Sequence, residues 1–259
     1  MRVWKKGLGI LLAGGVMLQS LGIGIFGGNH EPLNVYAAVP KDIIVKNNTA
    51  TIPNTVKGEA LIFEPCKAIS GGTQVKKLTL NGQGGKINLK NTMPKVKTLS
   101  VNTGTVKDLD FKKLPALESI NASSIGLLVS GSSKYMTKLN GLKNLKKINI
   151  INAGENSLSV SNCPKLQNVD FMGMGSFSIS KCPKVKKVCV GEVGLTSIKI
   201  KACPAIETLE IGAYVEKAKI SPEDIYACKK LKKLKAPKVI LDKLDRSKLP
   251  STVKIQTAS

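Results

Sequence analysis

A regular spacing of apolar residues limits the possible fold of this chain more than any other feature. Cys163, Cys182 and Cys203 each precede a proline and are each followed by apolar residues at offsets of three, six and eight. Other residues occupy the same slot in further units: Gly72, Met93, Leu114, Leu142 and Cys228. Successive slots lie 21, 21, 28, 21, 19, 21 and 25 residues apart, which indicates stacked repeats.

Each unit contains two short runs in which apolar and polar residues alternate, such as QNVDF and SFSIS. Alternation with a period of two predicts a strand with one buried face. One such unit cannot bury its apolar face alone, but units stacked every ~4.8 Å share a continuous core. The sequence therefore predicts a mainly β solenoid of about 8–9 turns, with short strands and little helix.

Three segments are expected along the chain: residues 1–37 as a signal peptide, 38–71 as an N-terminal cap and 72–259 as the solenoid. The long step of 28 residues predicts a loop at Gly126–Leu139. In the step of 25 residues, Ser221 and Pro222 predict the capped start of a short helix.

The first 37 residues combine a basic start, MRVWKK, with an apolar stretch and small residues at Val35 and Ala37. This order is typical of a signal peptide cleaved near Ala37, so we expect a secreted or surface-associated protein. An uncleaved segment that anchors the chain in a membrane is the alternative.

The chain carries a large positive charge that comes almost entirely from lysine. After cleavage, 37 lysines and arginines would face 16 aspartates and glutamates, a net charge of +21. Only Arg2 and Arg246 are arginines. This excess is consistent with a solvated, soluble surface or with adhesion to an anionic polymer. His30, the single histidine, would be removed, which argues against histidine-dependent catalysis and predicts neither an enzyme nor a cofactor.

The cysteines of the slot are interpreted as small buried residues, because sister units place Met or Leu there. Side chains stacked in parallel do not converge on a metal, and no metal site is expected. Disulfides between neighbouring turns are the alternative in an exported protein. Cys189, between Val188 and Val190, should face outward, as a tolerated small residue or alternatively as a reactive thiol.

The run LTSIKIKACPAIETLEI at Leu195–Ile211 resembles the short, roughly 21-residue repeats of bacterial leucine-rich-repeat proteins. The resemblance covers about residues 72–257, although valine and isoleucine replace many leucines, and Cys, Leu or Met stands where asparagine is common. It implies a curved, right-handed solenoid that binds macromolecules, chiefly proteins, on its concave sheet.

Two sets of residues are candidates for binding. The outward positions of the first strands would line the middle of the concave face: Thr79, Ser100, Asn121, Asn149, Asp170, Glu210 and Lys235. A basic zone is expected on the C-terminal turns: Lys184, Lys186, Lys187, Lys199, Lys201, Lys229, Lys230, Lys232 and Lys233.

These features favour an exported, non-catalytic binding protein that contacts a protein partner at the cell surface or outside. The alternative is a wall-associated structural protein that adheres through lysine to anionic polymers of the wall or a host. Nucleic acid is not an expected partner, because arginine and stacking aromatics are scarce.

Overall fold

Stacked short strands dominate the chain. The computed structural model describes residues 43–123, 127–129, 136–151, 153–191, 194–215 and 217–258. These residues belong to one compact unit, Val39–Ser259, and form a solenoid of about 9 turns with almost no helix. The fold predicted from the repeat is confirmed.

One sheet, which we call the long sheet, runs through every turn. Its ten strands are all parallel, and neighbouring turns supply neighbouring strands. The strands are Glu59–Ile62, Lys77–Leu80, Thr98–Val101, Ser119–Ala122, Lys147–Ile150, Asn168–Phe171, Lys187–Val190, Thr208–Ile211, Lys233–Ala236 and Lys254–Thr257.

The remaining strands form three shorter sheets. The first contains four strands: Ile44–Lys46, Thr49–Ile52, Ala68–Gly71 and Asn88–Leu89. The next contains three: Gln83–Lys86, Gly104–Lys107 and Leu127–Val129. The last, which we call the second sheet, contains five: Met136–Asn140, Ser157–Ser161, Ser176–Ser180, Ser197–Lys201 and Lys219–Ile220.

The prediction of a loop at Gly126–Leu139 is wrong where this segment forms strands. Leu127–Val129 ends the three-stranded sheet, whereas Met136–Asn140 begins the second sheet. Residues 124–126 and 130–135 lie outside the described residues. The alternation of buried and more exposed residues, with Thr137 and Leu139 both buried, explains the second strand. The extra length of this turn therefore separates two sheets.

The inward faces of the long sheet and the second sheet share one core. Phe171 of the long sheet stacks on Phe177 of the second sheet, with ring centroids 5.9 Å apart, and both rings are fully buried. Valine, leucine and isoleucine fill the equivalent positions of neighbouring turns. Each buried side chain of this size stabilises the fold by roughly 1.5–3 kcal/mol.

The turn after each of the first four strands of the second sheet requires a left-handed backbone. Gly141, Asn162, Lys181 and Ala202 have φ values of 69°, 53°, 51° and 52° and precede the repeat slot. Glycine and asparagine tolerate this conformation, while lysine and alanine pay a steric cost. The next residue of the chain occupies the repeat slot.

The three cysteines that follow these turns lie inside the stack. The thiols of Cys163, Cys182 and Cys203 donate to the carbonyl oxygens two residues earlier, at 3.3, 3.2 and 3.3 Å. All six cysteines of the chain are buried, and none forms a disulfide. The placement of the slot cysteines therefore agrees with the predicted packing role.

Among the described residues, helix occurs in short segments. The predicted helix is confirmed at Pro222–Tyr226, with Pro222 in its first turn, but the Ser221 side chain makes no capping hydrogen bond. Lys238–Leu241 is a second α-helix, and Phe111–Lys113 and Arg246–Lys248 are 3-10 helices.

The N-terminal predictions fall partly outside the described residues. The signal peptide 1–37 and residues 38–42 of the cap are not described. In residues 43–71, Ile44–Lys46 pairs antiparallel with Thr49–Ile52, while Glu59–Ile62 is the first strand of the long sheet. Within the described chain, none of the helices has the length and apolar character needed to cross a bilayer.

Candidate functional site

The candidate residues of the concave face lie in a single row of the long sheet. Strand pairing places them side by side in the order Thr79, Ser100, Asn121, Asn149, Asp170, Cys189, Glu210 and Lys235. Leu61 precedes this central row and Gln256 follows it. The row arises because the seventh residue after each slot is the middle outward position of a strand.

Much of the central row is recessed. Thr79, Ser100, Cys189 and Glu210 expose only 3, 7, 5 and 9% of their surface, although they point away from the core. Their side chains are short or paired, and a lysine at the start of the strand stands beside some of them, as Lys77 does beside Thr79 and Lys187 beside Cys189. The row is thus the floor of the sheet's outer face, and a partner would touch its flanks first.

Glu210 is held in the row by contacts on both sides. Its Oε1 pairs with Lys233 Nζ at 2.8 Å, and its Oε2 accepts from Cys189 Sγ at 3.5 Å. Burial would raise the pKa of Glu210, but the hydrogen bond from Lys233, together with its charge, holds the pKa below its usual value. The carboxylate is therefore ionised, and each of its two oxygens already has a partner.

Cys189 faces outward, as expected, but it is enclosed between Asp170 and Glu210. Burial, followed by the negative charge of both carboxylates, raises the pKa of this thiol well above its ordinary value. A protonated, shielded thiol is a poor nucleophile. The geometry therefore favours the small, tolerated residue over the reactive thiol.

The predicted basic zone is divided between two faces. Lys199 and Lys201 project from the second sheet, on the opposite side of the core from the long sheet. The other residues lie in the turns that lead into the long sheet or on its first positions: Lys184, Lys186, Lys187, Lys229, Lys230, Lys232 and Lys233. The structure thus gathers seven of the nine lysines along one edge.

Four of these lysines, Lys186, Lys187, Lys232 and Lys233, belong to two rows that extend far beyond the C-terminal turns. Backbone N–H groups link the residue before each long-sheet strand to its counterpart in the preceding turn, in one continuous row from Lys76 to Lys232. The first strand residues form an adjacent row. We call these sixteen positions the lysine ridge: 76, 77, 97, 98, 118, 119, 146, 147, 167, 168, 186, 187, 207, 208, 232 and 233.

The lysine ridge holds nine lysines and two glutamates, a net charge of +7. Sequence reasoning missed its length, although the signal was present, because lysine recurs at offsets four and five after the slot. The ridge spans eight turns, which corresponds to ~34 Å at ~4.8 Å per turn.

The two glutamates of the ridge are already paired. Glu118 contacts Lys97 and Lys146 at 3.4 and 2.8 Å, and the hydrogen bond from Lys146 lowers its pKa. Glu207 contacts Lys232 at 2.7 Å, and that hydrogen bond likewise lowers its pKa. These exposed pairs hold neighbouring turns in line but contribute little stability each.

The surroundings of three slot thiols raise their pKa values. Cys182 and burial together raise the pKa of both Cys163 and Cys203, and burial raises that of Cys228 to about 11, helped by Asp224. Among the described residues, no group of three or more His, Cys, Asp or Glu side chains is arranged to hold a metal ion. The slot thiols pack as small buried side chains inside the stack.

Two depressions flank the last strand of the second sheet. One, of about 250 Å³, is lined by Ile220, Ile225, Ile240 and nearby lysines. The other, of about 630 Å³, is shallow and is lined by Lys199, Lys201 and Lys219 with Asp224, whose Oδ2 accepts from the Ile200 N–H at 3.0 Å. Both are surface features at the end of the stack rather than enclosed sites.

Comparison with known proteins does not assign the chain to a family. No family model matches the sequence, and neither the curated proteins nor the solved structures contain a match. The assignment to leucine-rich-repeat proteins therefore stays a proposal based on the repeat and its residues.

Proposed function

We propose that this protein is an exported, non-catalytic binding protein of the leucine-rich-repeat type. It contacts a protein partner at the cell surface or outside the cell through the long sheet. The observation that carries the proposal is the continuous ten-stranded sheet, whose outer face presents one uninterrupted row of aligned side chains. A sheet paired through every turn is a rigid platform, and a rigid surface loses little conformational entropy on binding.

The chemistry of this face suits a polar partner. Its central row holds amides at Asn121 and Asn149, an acid at Asp170 and a lysine at Lys235, with lysines of the ridge beside it. Contacts of this kind are hydrogen bonds and ion pairs around a recessed floor. Partner specificity would then come from complementary charge and shape.

Capture from cell-surface extracts, using the purified full-length chain, tests this function. Asn149→Arg places a bulky charge on the floor of the long sheet, whereas Ser178→Arg makes a similar change on the second sheet. We expect the wild type and the Ser178→Arg variant to capture the same protein, and the Asn149→Arg variant to lose it. Equal capture by all three chains would contradict the proposal.

Export is tested separately. Expressed in a secreting bacterial host, the protein should appear outside the cytoplasm with a new N-terminus near residue 38, as determined by intact mass. A full-length mass in the membrane fraction would instead support the uncleaved anchor.

A further inference from the structure

The lysine ridge has properties that the proposed protein-binding face does not explain. Lys76, Lys147 and Lys186 are exposed, and in the described part of the chain no carboxylate lies within ion-pair distance of them. They lie in the first, fourth and sixth of the eight turns of the ridge. Each of these turns carries two adjacent lysines, at 76–77, 146–147 and 186–187, and the repulsion between their like charges costs folding free energy that an anionic ligand would recover.

The ridge is linear, and this shape constrains its ligand. Its positions repeat once per turn at ~4.8 Å along the solenoid axis. A small anion would contact one or two lysines, whereas an extended polymer with regularly spaced charges can engage all of them. A linear polyanion that lies parallel to the axis is therefore the complementary ligand.

The residue types along the ridge further define the polymer. Hydroxyl and amide groups stand between the lysines at Thr98, Ser119, Asn168 and Thr208, and phosphate oxygens accept hydrogen bonds from both kinds of group. Lysine contributes a point charge instead of the paired donors of arginine. None of the sixteen ridge positions is aromatic, so the ridge offers no stacking platform for bases.

We propose that a linear phosphodiester polymer with a non-aromatic backbone binds along the lysine ridge, parallel to the solenoid axis. The ligand contacts lysine ammonium groups on five of the eight turns, and the hydroxyl and amide side chains between them add hydrogen bonds. This site is separate from the central row of the long sheet and does not depend on the proposed protein partner.

Fluorescence anisotropy with a labelled glycerol-phosphate oligomer tests the ridge on the full-length chain. The ridge variant carries Lys76→Gln, Lys147→Gln and Lys186→Gln. The matched control carries Lys199→Gln, Lys201→Gln and Lys219→Gln on the second sheet, which removes the same charge from another surface. We expect the ridge variant to bind at least about tenfold more weakly and to show a salt slope shallower by about 2 units, at roughly 0.7 per lost contact.

The control variant should keep most of the affinity and the full salt slope. A third variant with arginine at the three ridge positions should bind like the wild type, because it retains the charge. Equal weakening of the ridge and control variants would show that only net charge matters and would overturn the proposal, as would unchanged binding by the ridge variant. Thermal melts confirm that each variant is folded.

Competition defines the polymer class. We expect unlabelled glycerol-phosphate oligomer to displace the probe more effectively than oligothymidylate or polyglutamate of equal charge. Stronger displacement by oligothymidylate would overturn the non-aromatic backbone, and equal displacement by polyglutamate would overturn the preference for phosphate. The Asn149→Arg variant should bind the oligomer at least as tightly as the wild type, because the added charge beside Lys147 is positive, so this test and the protein-capture test can fail independently.

Discussion

The long sheet and the second sheet are built by the same turns, yet they differ in extent and in chemistry. The long sheet contains ten strands and carries carboxylates beside its lysines, as at Glu210 and Lys233. The second sheet contains five strands. Its described outward positions hold serine, lysine, asparagine and methionine without a carboxylate, with three serine-rich rows through Ser157, Ser159 and Ser161.

The difference in extent follows from the repeat. Offsets of three, six and eight after the slot hold in the eight turns from Gly72 to Cys228, so the strands of the long sheet remain in register across these turns. The spacing after that strand varies, and the 28-residue step ends one sheet and begins another. Constant spacing therefore builds the continuous surface, and variable spacing divides the opposite side.

The largest expected effect tests whether the two sheets share one core. Phe171→Ala removes a buried ring from the long sheet, and Phe177→Ala removes its stacking partner from the second sheet. Each should lower the free energy of unfolding by about 3–5 kcal/mol, because a cavity replaces the ring. Urea denaturation should show one transition for both variants. Loss of only one part of the structure in either variant would mean that the sheets fold separately.

A smaller effect distinguishes the inside of the stack from the floor of the long sheet. Cys182→Ser replaces a fully buried sulfur by a polar hydroxyl; the Ser180 carbonyl can still accept its hydrogen bond, but the apolar burial is lost, which should cost about 1–3 kcal/mol. Cys189→Ser places the hydroxyl beside Glu210, which can accept its hydrogen bond, and should change stability by less than about 0.5 kcal/mol. Equal costs in thermal or urea unfolding would contradict the different placement of these two thiols.

The turn that leaves the second sheet offers a stabilising substitution. Ala202 has a φ of 52°, a conformation that glycine adopts without a steric penalty. Ala202→Gly should therefore raise the free energy of unfolding by about 0.5–1 kcal/mol, after allowance for the greater freedom of glycine in the unfolded chain. Ala205→Gly, in the next turn, is the matched control and should not stabilise the protein. A lower midpoint for Ala202→Gly in urea would contradict the assigned backbone.

The smallest effect concerns pH and the charged long sheet. The folded-state pKa of Glu210 lies below its ordinary value of 4.5, so the unfolded chain binds more protons in that range. Its contribution to stability is present above about pH 4.5 and decreases as the pH falls through the lower folded-state pKa. Glu210→Gln should make the urea midpoint less dependent on pH below 4.5. Ser178, which lies between Ser159 and Lys199 in a row without a carboxylate, provides the control: Ser178→Ala should leave the pH profile unchanged.

Much of the fold could be predicted because the repeat combines two signals, the slot and the alternation that follows it. The row from Thr79 to Lys235 and the short helix at Pro222–Tyr226 both came from such local patterns. The strands near 127–140 were missed because an unusually long step resembles a loop insertion. The lysine ridge was predicted only as a C-terminal basic zone, because lysines are adjacent in the sequence there. The alignment of lysines from different turns depends on strand register, which is not visible from neighbouring residues in the sequence.

An engineered metal site gives the most direct test of the stacked turns and their two opposite faces. The chain has 1 histidine, so new histidine pairs have little background. Ser159→His with Ser178→His joins neighbouring turns on the second sheet, whereas Asp170→His with Ser178→His places the pair on opposite faces of one turn. Nickel at 100 times its Kd should stabilise the first pair by about 2.7 kcal/mol and leave the second unchanged. Stabilisation of the opposite-face pair, or of neither pair, would contradict the stacked solenoid.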